Sequence, residues 1–518
     1  MLHNKKQIVM AVVLTLILSA AGIGAAFAQD SIDNIPGSGW WTGTQIQNVG
    51  TDTATLTISS YHKDDPSKDA VTDPIQIGKD ASRTFLPSDL KLGAGEFQGS
   101  ATVSSNQPLR AMVNTTNQNA AGYGVPGGRA VAQYRGVNNP ATNLNFPLAK
   151  NNHYGKYTTF YIQNAGTQAA NITATFKLGG GECTITRNNV GANRMVVIAP
   201  QQPGSGCPSG NNTGLGAMSV TSAQPLAGVV LEHGTENPAV GLQAVRGFAP
   251  ADADTSVYAP IIKSEWYGKF TGLQVSNAGG SAANVTVTYK GADGACQGQQ
   301  FQSQANIPAG QSATFVHLVS GGLPIANPLP TNCLASATVT GPAGSQLVAI
   351  VNEEWMASYI AGGGNGGFPA STTYSGFAAN SATNRISLPL YKEDHYGAGT
   401  GLQVQNVGNA QASNVVLTFI QSNAPGNTYK TKPQTIAAGA SLTFLDVRKR
   451  ADLWDGPAMP SNVKDATGVF AVVVTGDQSV VAVANETSYP FNLGLPGQPP
   501  MTLDSNNYEG FNLTPPSQ

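Results

Sequence analysis

The sequence predicts an all-β chain of four tandem antiparallel β-sandwich domains behind an N-terminal signal peptide. Composition is the first reason. The 518 residues include 60 Gly and 32 Pro, while charged residues are only 11%, under half the usual share of about 25%. Such a chain has many turns and too few charges for the polar faces of long amphipathic helices. Periodicity is the second. In Val285-Thr-Val-Thr-Tyr289 the large side chains alternate, the period of a half-buried strand. Repetition is the third. TGLQVQNVGNAQASNVVLTF from Thr400 returns as TGLQVSNAGGSAANVTVTY from Thr271, TTFYIQNAGTQAANITATF from Thr158 and TGTQIQNVGTDTATLTISS from Thr42.

The N-terminus carries a targeting pattern. Lys5 and Lys6 precede an apolar run from Ile8 to Phe27, which ends in Ala26-Phe27-Ala28. These are the charged region, apolar region and small-residue cleavage site of a secretory signal, so residues 1–28 are read as a removed leader. The rest is expected outside the cell or on its surface, with no membrane span. An uncleaved anchor is the rival reading, since the run is long enough to cross a bilayer.

Each unit then repeats one order of elements. A strand leads into an aromatic-glycine corner: His153-Tyr154-Gly155, Trp266-Tyr267-Gly268 and His395-Tyr396-Gly397, with Trp40-Trp41 as a shortened version after Ile35-Pro36. A hairpin follows, turning at Asn48, Asn164, Asn277 and Asn406. In Asn-x-Gly the amide can bond its own backbone and Gly can take positive φ, so the turn needs no ligand. Next come a glycine turn with its strand (Ile307 to Phe315, Ile436 to Phe444) and a strand pair such as Ser336 to Thr340 with Leu347 to Val351. Each unit closes on a glycine linker, Arg135-Gly136, Arg246-Gly247, Ser375-Gly376 or Glu509-Gly510. About seven strands per unit fit a sandwich, with a barrel as the alternative. Only Val447 to Trp454 reads as a short helical turn.

The four asparagines stand 116, 113 and 129 residues apart. That is too long for a solenoid repeat and right for one compact domain each. The boundaries are therefore 29–137, 138–249, 250–378 and 379–511, with a tail at 512–518. The expected arrangement is beads in series, a semi-rigid rod.

QVQNVGNAQASNVVLTF followed by IAAGASLTF resembles the cell-adhesion-related (CARDB-type) Ig-like domains of bacterial surface proteins. The likeness covers about half of each unit, most weakly in the first, and departs at the aromatic corner and the closing Gly-Phe. It implies extracellular Ig-like modules and no family-wide catalytic residues.

Four cysteines fit an oxidising compartment. Their places in the repeat favour Cys183 with Cys207 and Cys296 with Cys333, both structural bridges. Net charge is −2, which excludes an electrostatic case for nucleic acid. No G-x-S-x-G, H-E-x-x-H or phosphate loop is present, so no hydrolase, zinc-protease or nucleotide site is expected, and the chain reads as a non-enzyme.

Three features are candidate contacts. Trp40, Trp41, His153, Tyr154, Trp266, Tyr267, His395 and Tyr396 form corners suited to packing between domains or to stacking on sugar rings. A position that accepts His and Trp alike is a poor proton-transfer site. Glu232, Glu353 and Glu486 recur after the last apolar strand, with Thr115 in the first unit. They suit hydrogen bonding to a loop, or Ca²⁺ at an interdomain joint; no other cofactor is implied. Lastly, the tail from Phe511 stops where another first strand would begin, so one chain's tail could add to the first domain of the next. The leading expectation is a non-catalytic surface protein for assembly or adhesion, partnered by itself or by other surface components. The alternative is a carbohydrate- or protein-binding array accessory to an extracellular enzyme, with glycans among its partners.

Overall fold

The computed structural model describes the backbone of residues 10–14 and residues 34–37, 39–93, 95–117, 130–234, 241–319, 324–358, 371–488 and 506–513. It is all-β, 59% strand, and among the described residues no helix reaches seven residues and all strand pairing is antiparallel. Val447–Lys449 and Ala451–Leu453 form short 3₁₀ turns, as expected of that segment.

Every unit has two layers, most clearly the third. One layer runs Gln300–Ile307, Ala283–Gly294, Cys333–Thr340, Ser256–Ser264, Phe377–Ala378; the other runs Ser312–Val316, Lys269–Asn277, Leu347–Trp355, Ser371–Ser375. In the second and fourth units one long strand, Leu215–His233 or Val469–Ser488, passes through both layers and joins them. The cysteines pair as expected, Cys183 with Cys207 and Cys296 with Cys333, at Cα separations of 5.1 and 5.3 Å.

Three expectations are corrected. The repeated Asn-x-Gly element is not a hydrogen-bonded hairpin. Lys269–Asn277 pairs with Ser312–Val316 and Leu347–Trp355, while Ala283–Gly294 pairs with Gln300–Ile307 and Cys333–Thr340. The turn is an arch that carries the chain from one layer to the other. The closing glycine is not a linker either. After Gly376, Phe377–Ala378 pairs with Val257 and Tyr258 of the same unit, and Phe511–Asn512 pairs likewise with Ser387 and Ile386. A Cβ at Gly247, Gly376 or Gly510 would meet Phe146, Val257 or Ile386 at 2.5–2.7 Å, so the switch between layers requires glycine. The start of the tail is thereby used inside its own unit, with Phe511 and Leu513 in the core; residues 514–518 lie outside the described residues.

The third correction concerns arrangement. The closing strand Val131–Arg135 packs on Gln243–Arg246, which packs on Ser371–Ser375; that packs on Asn506–Glu509, which returns to Val131–Arg135. The four units form a closed ring around these strands and not a rod. The cores continue around it. Val348 and Ile350 of the third unit enter the second unit's core, Val481 and Val483 enter the third's, Met112 enters the fourth's, and Val229 and Leu231 enter the first's. These residues lie on nearly continuous apolar strands, which burial on both faces demands.

The first unit differs at its edge. Met10–Leu14 pairs with Gly99–Ser105, where Ala141–Lys150 pairs with the first half of Leu215–His233 in the second unit. Residues 10–14 of the apolar stretch read as a leader thus pair where a unit's first strand would stand, the place expected around Ile35; the rest of that stretch lies outside the described residues. Removing residues 1–28 would take that strand away.

Candidate functional site

The residues singled out by recurrence divide into arch, corner and joint. At the arch each asparagine is buried and serves as a triple staple. Asn277 Nδ2 donates to the carbonyls of Ser281 at 2.7 Å and Ile307 at 3.0 Å, and its Oδ1 accepts from Gly279 N at 3.0 Å. Asn48, Asn164 and Asn406 repeat the pattern. The following glycine does not take positive φ. Gly50, Gly166 and Gly408 are needed because a Cβ would strike Gln107, Gln224 or Gln478. The arch is structural throughout.

The corners are part core, part surface. Tyr154, Tyr267 and Tyr396 have φ of 51°, 48° and 48° and are 72%, 72% and 51% exposed. A bulky residue in this left-handed region is strained. Each ring meets its predecessor edge-on, at 4.7 Å from His153, 4.8 Å from Trp266 and 4.8 Å from His395. The histidines are anchored: Nδ1 of His153 donates to Asn211 O at 2.8 Å, and Nδ1 of His395 to Asp465 O at 2.5 Å. Burial lowers both pKa values. Trp40 and Trp41 do not belong to this surface. Trp40 is wholly buried in the first core, and both lie within the strand Trp40–Asn48, after the corner position.

At the joints the glutamates meet lysines that the sequence reading passed over. Glu232 Oε2 lies 2.8 Å from Lys150 Nζ, and Oε1 lies 3.2 Å from Lys156 Nζ. Glu353 repeats this with Lys263 at 2.5 Å and Lys269 at 2.8 Å. Burial pushes each carboxyl up, but its two lysines overcome that and hold Glu232 and Glu353 at about 2. Glu486 has Lys392 at 2.8 Å, and Ala398 stands where the second lysine would be. The next unit adds an amide each time. Asn352 Nδ2 donates to Glu232 at 3.5 Å, Asn485 Nδ2 to Glu353 at 3.2 Å, and Gln133 Nε2 to Glu486 at 3.2 Å. The oxygens envisaged for Ca²⁺ therefore face ammonium and amide groups. Lys150/Lys156 and Lys263/Lys269 flank the corner motif at one spacing, a signal open to the same repeat comparison.

Outer contacts repeat too. Lys177 Nζ donates to Ala309 O of the third unit at 3.2 Å, and Lys290 Nζ to Ala438 O of the fourth at 2.6 Å. Between the first two units Arg194 takes over, with Asp69 at 2.6 and 2.7 Å and His62 O at 2.6 Å. Ser82 and Ser422 share a 3.0 Å bond at the closure between the last and first units.

On the axis, the four residues before the closing glycines converge. Glu509 Oε1 lies 3.0 Å from Arg135 Nε and 3.9 Å from Arg246 Nε, and its Oε2 accepts from Ser375 N at 3.3 Å. Arg246 forks onto Asp252 at 2.7 and 3.0 Å. These positions were visible in the sequence as linkers; their meeting was not, because it joins residues hundreds of positions apart. Among the described residues no group of three or more His, Cys, Asp or Glu is placed to hold a metal ion, and no helix is long and apolar enough to cross a membrane.

No family model matches the chain, and no curated protein does either. Among solved structures it is similar to "Crystal Structure of Thermotoga maritima 1070", at 15% identity over 24% of this chain and 96% of that one, with a TM-score of 0.18. A chain of the T13 IBDV viral particle is 10% identical over 72% of this chain and 75% of that one, with a TM-score of 0.15.

Proposed function

We propose that this chain is a secreted, non-catalytic surface protein that acts in cell-surface assembly or adhesion as a closed four-unit scaffold. The observation that carries the reading is the repeated joint, in which one unit's buried glutamate is held by its own lysine and by an amide of the next unit. The recurrent glutamates are committed to holding units together, as a scaffold requires. The resemblance to adhesion-related Ig-like modules agrees with it, and two disulfides agree with an oxidising compartment. Fractionation of the source cells, with N-terminal sequencing, tests the assignment. Recovery outside the membrane with Gln29 as the first residue is expected, the mature first unit then lacking the edge strand Met10–Leu14. Recovery in the cytoplasm would defeat the proposal.

A second reading, glycan binding, is favoured by the corners. Three exposed tyrosines held in a strained conformation are flat platforms suited to stacking on sugar faces. A glycan array should return hits that disappear when Tyr154, Tyr267 and Tyr396 are all changed to Ala. Hits that survive that change, or no hits, would count against it.

A further inference from the structure

The axial strands leave a cavity of about 210 Å³ at one end of the ring, lined by all four units. Its charged wall comprises Arg110, Arg135 and Arg246, with Asp252 among them. Arg135 is paired with Glu509 and Arg246 with Asp252. Arg110 is different. Among the described residues its polar contact is the carbonyl of Leu109, at 2.9 Å from Nη1, and its guanidinium lies over the Phe511 ring at 5.8 Å. Arg246 Nε, itself buried, also has no hydrogen-bond partner. Three guanidiniums thus face two carboxylates. Burial lowers Arg110 and Arg135 to about 10. The rest of the wall includes Val137, Phe377 and Phe511.

We propose that this cavity binds a small monocarboxylate. The planar fork of Arg110 receives the carboxylate, since guanidinium and carboxylate match in geometry as well as charge. One excess positive charge calls for a monoanion. The volume is that of about seven waters; most of the wall is polar, and Val137, Phe377 and Phe511 offer a limited apolar face to a short hydrocarbon body. The site depends on ring closure, because every unit contributes to it, and it is separate from the corner tyrosines.

Calorimetry on the full chain tests this, with sodium propionate and benzoate as probes against sodium phosphate and chloride at equal ionic strength. Saturable binding of a carboxylate at one site per chain is expected, and chloride should show none. Arg110→Gln should weaken it roughly tenfold or more, the loss of one charge-assisted bond. Ala251→Trp, at an exposed lining position beside Asp252, should block it independently should Arg110→Gln fold poorly. The surface variant Arg450→Gln should bind as the parent does. No saturable binding by either carboxylate, phosphate binding as well as propionate, or undiminished binding in both cavity variants would overturn the proposal.

Discussion

At the scale of single residues the chain buries its carboxylates beside cations. Glu353 is 2% exposed and stands between two lysines. Removing one member of such a set leaves uncompensated charge in a low dielectric, which typically costs about 3–5 kcal/mol. Glu353→Ala should lose that much in urea unfolding, far more than removal of the exposed Asp452. Acid acts on the same chemistry in two windows. His317 is buried; its Nδ1 donates to Thr271 O at 2.8 Å and its Nε2 lies 3.0 Å from the Tyr289 hydroxyl. Burial depresses it from 6.5 to about 4. A group depressed on folding binds protons more readily when unfolded, so its contribution is full above pH 6.5. It is lost as pH falls from 6.5 to 4, amounting to roughly 3 kcal/mol. Glu232 and Glu353, held at about 2, lose their contribution below, from pH 4.5 towards 2. His317→Gln should therefore reduce the slope of the stability profile between pH 6.5 and 4, where His153, His233 and His395 also contribute, and leave the lower fall in place. An unchanged upper slope would refute the assignment.

At the scale of the element, the arch shows how a motif can be found for one reason and required for another. Asn-x-Gly was legible as a turn, and the asparagine staple follows from its side chain. The glycine's role was not legible. It is needed for close approach to a glutamine on a strand about 60 residues away, as with Gly166 and Gln224. This distinction is measurable. Gly166→Ala should destabilise, and Gln224→Gly in the same chain, which removes the Cβ that stands 2.7 Å from the added methyl as well as the amide, should recover part of the loss, giving a non-additive cycle. Were backbone conformation the constraint, the second substitution would recover nothing. Asn277→Ala should cost about 2–4 kcal/mol, since it strands two carbonyls and one N–H in a buried turn.

At the scale of the whole molecule, ring closure changes how the units depend on one another. Each core takes side chains from the next unit, so the units should not unfold as independent beads. Met112→Asp, at the joint between the first and fourth units, should lower the urea midpoint of the entire transition. A separate early step confined to one quarter of the signal would show that the units are energetically independent. Scattering in solution should likewise give the dimensions of a compact ring. A particle four units long would contradict the closed arrangement.

By itself the sequence determined the strand period, the repeat, the disulfide partners and the places of the recurrent Asn, Glu and Gly, because these follow from local backbone chemistry or from comparing one repeat with another. It did not determine which layer each strand joins, what the glutamates meet, or that the last unit returns to the first. Those were decided by tertiary structure, for a physical reason. An apolar strand must bury both faces, and a buried charge must find a partner, but neither demand says where in the chain the partner lies. Val483 could have packed in any apolar groove, and Arg135 and Glu509 meet only because the ring brings the first and last units together.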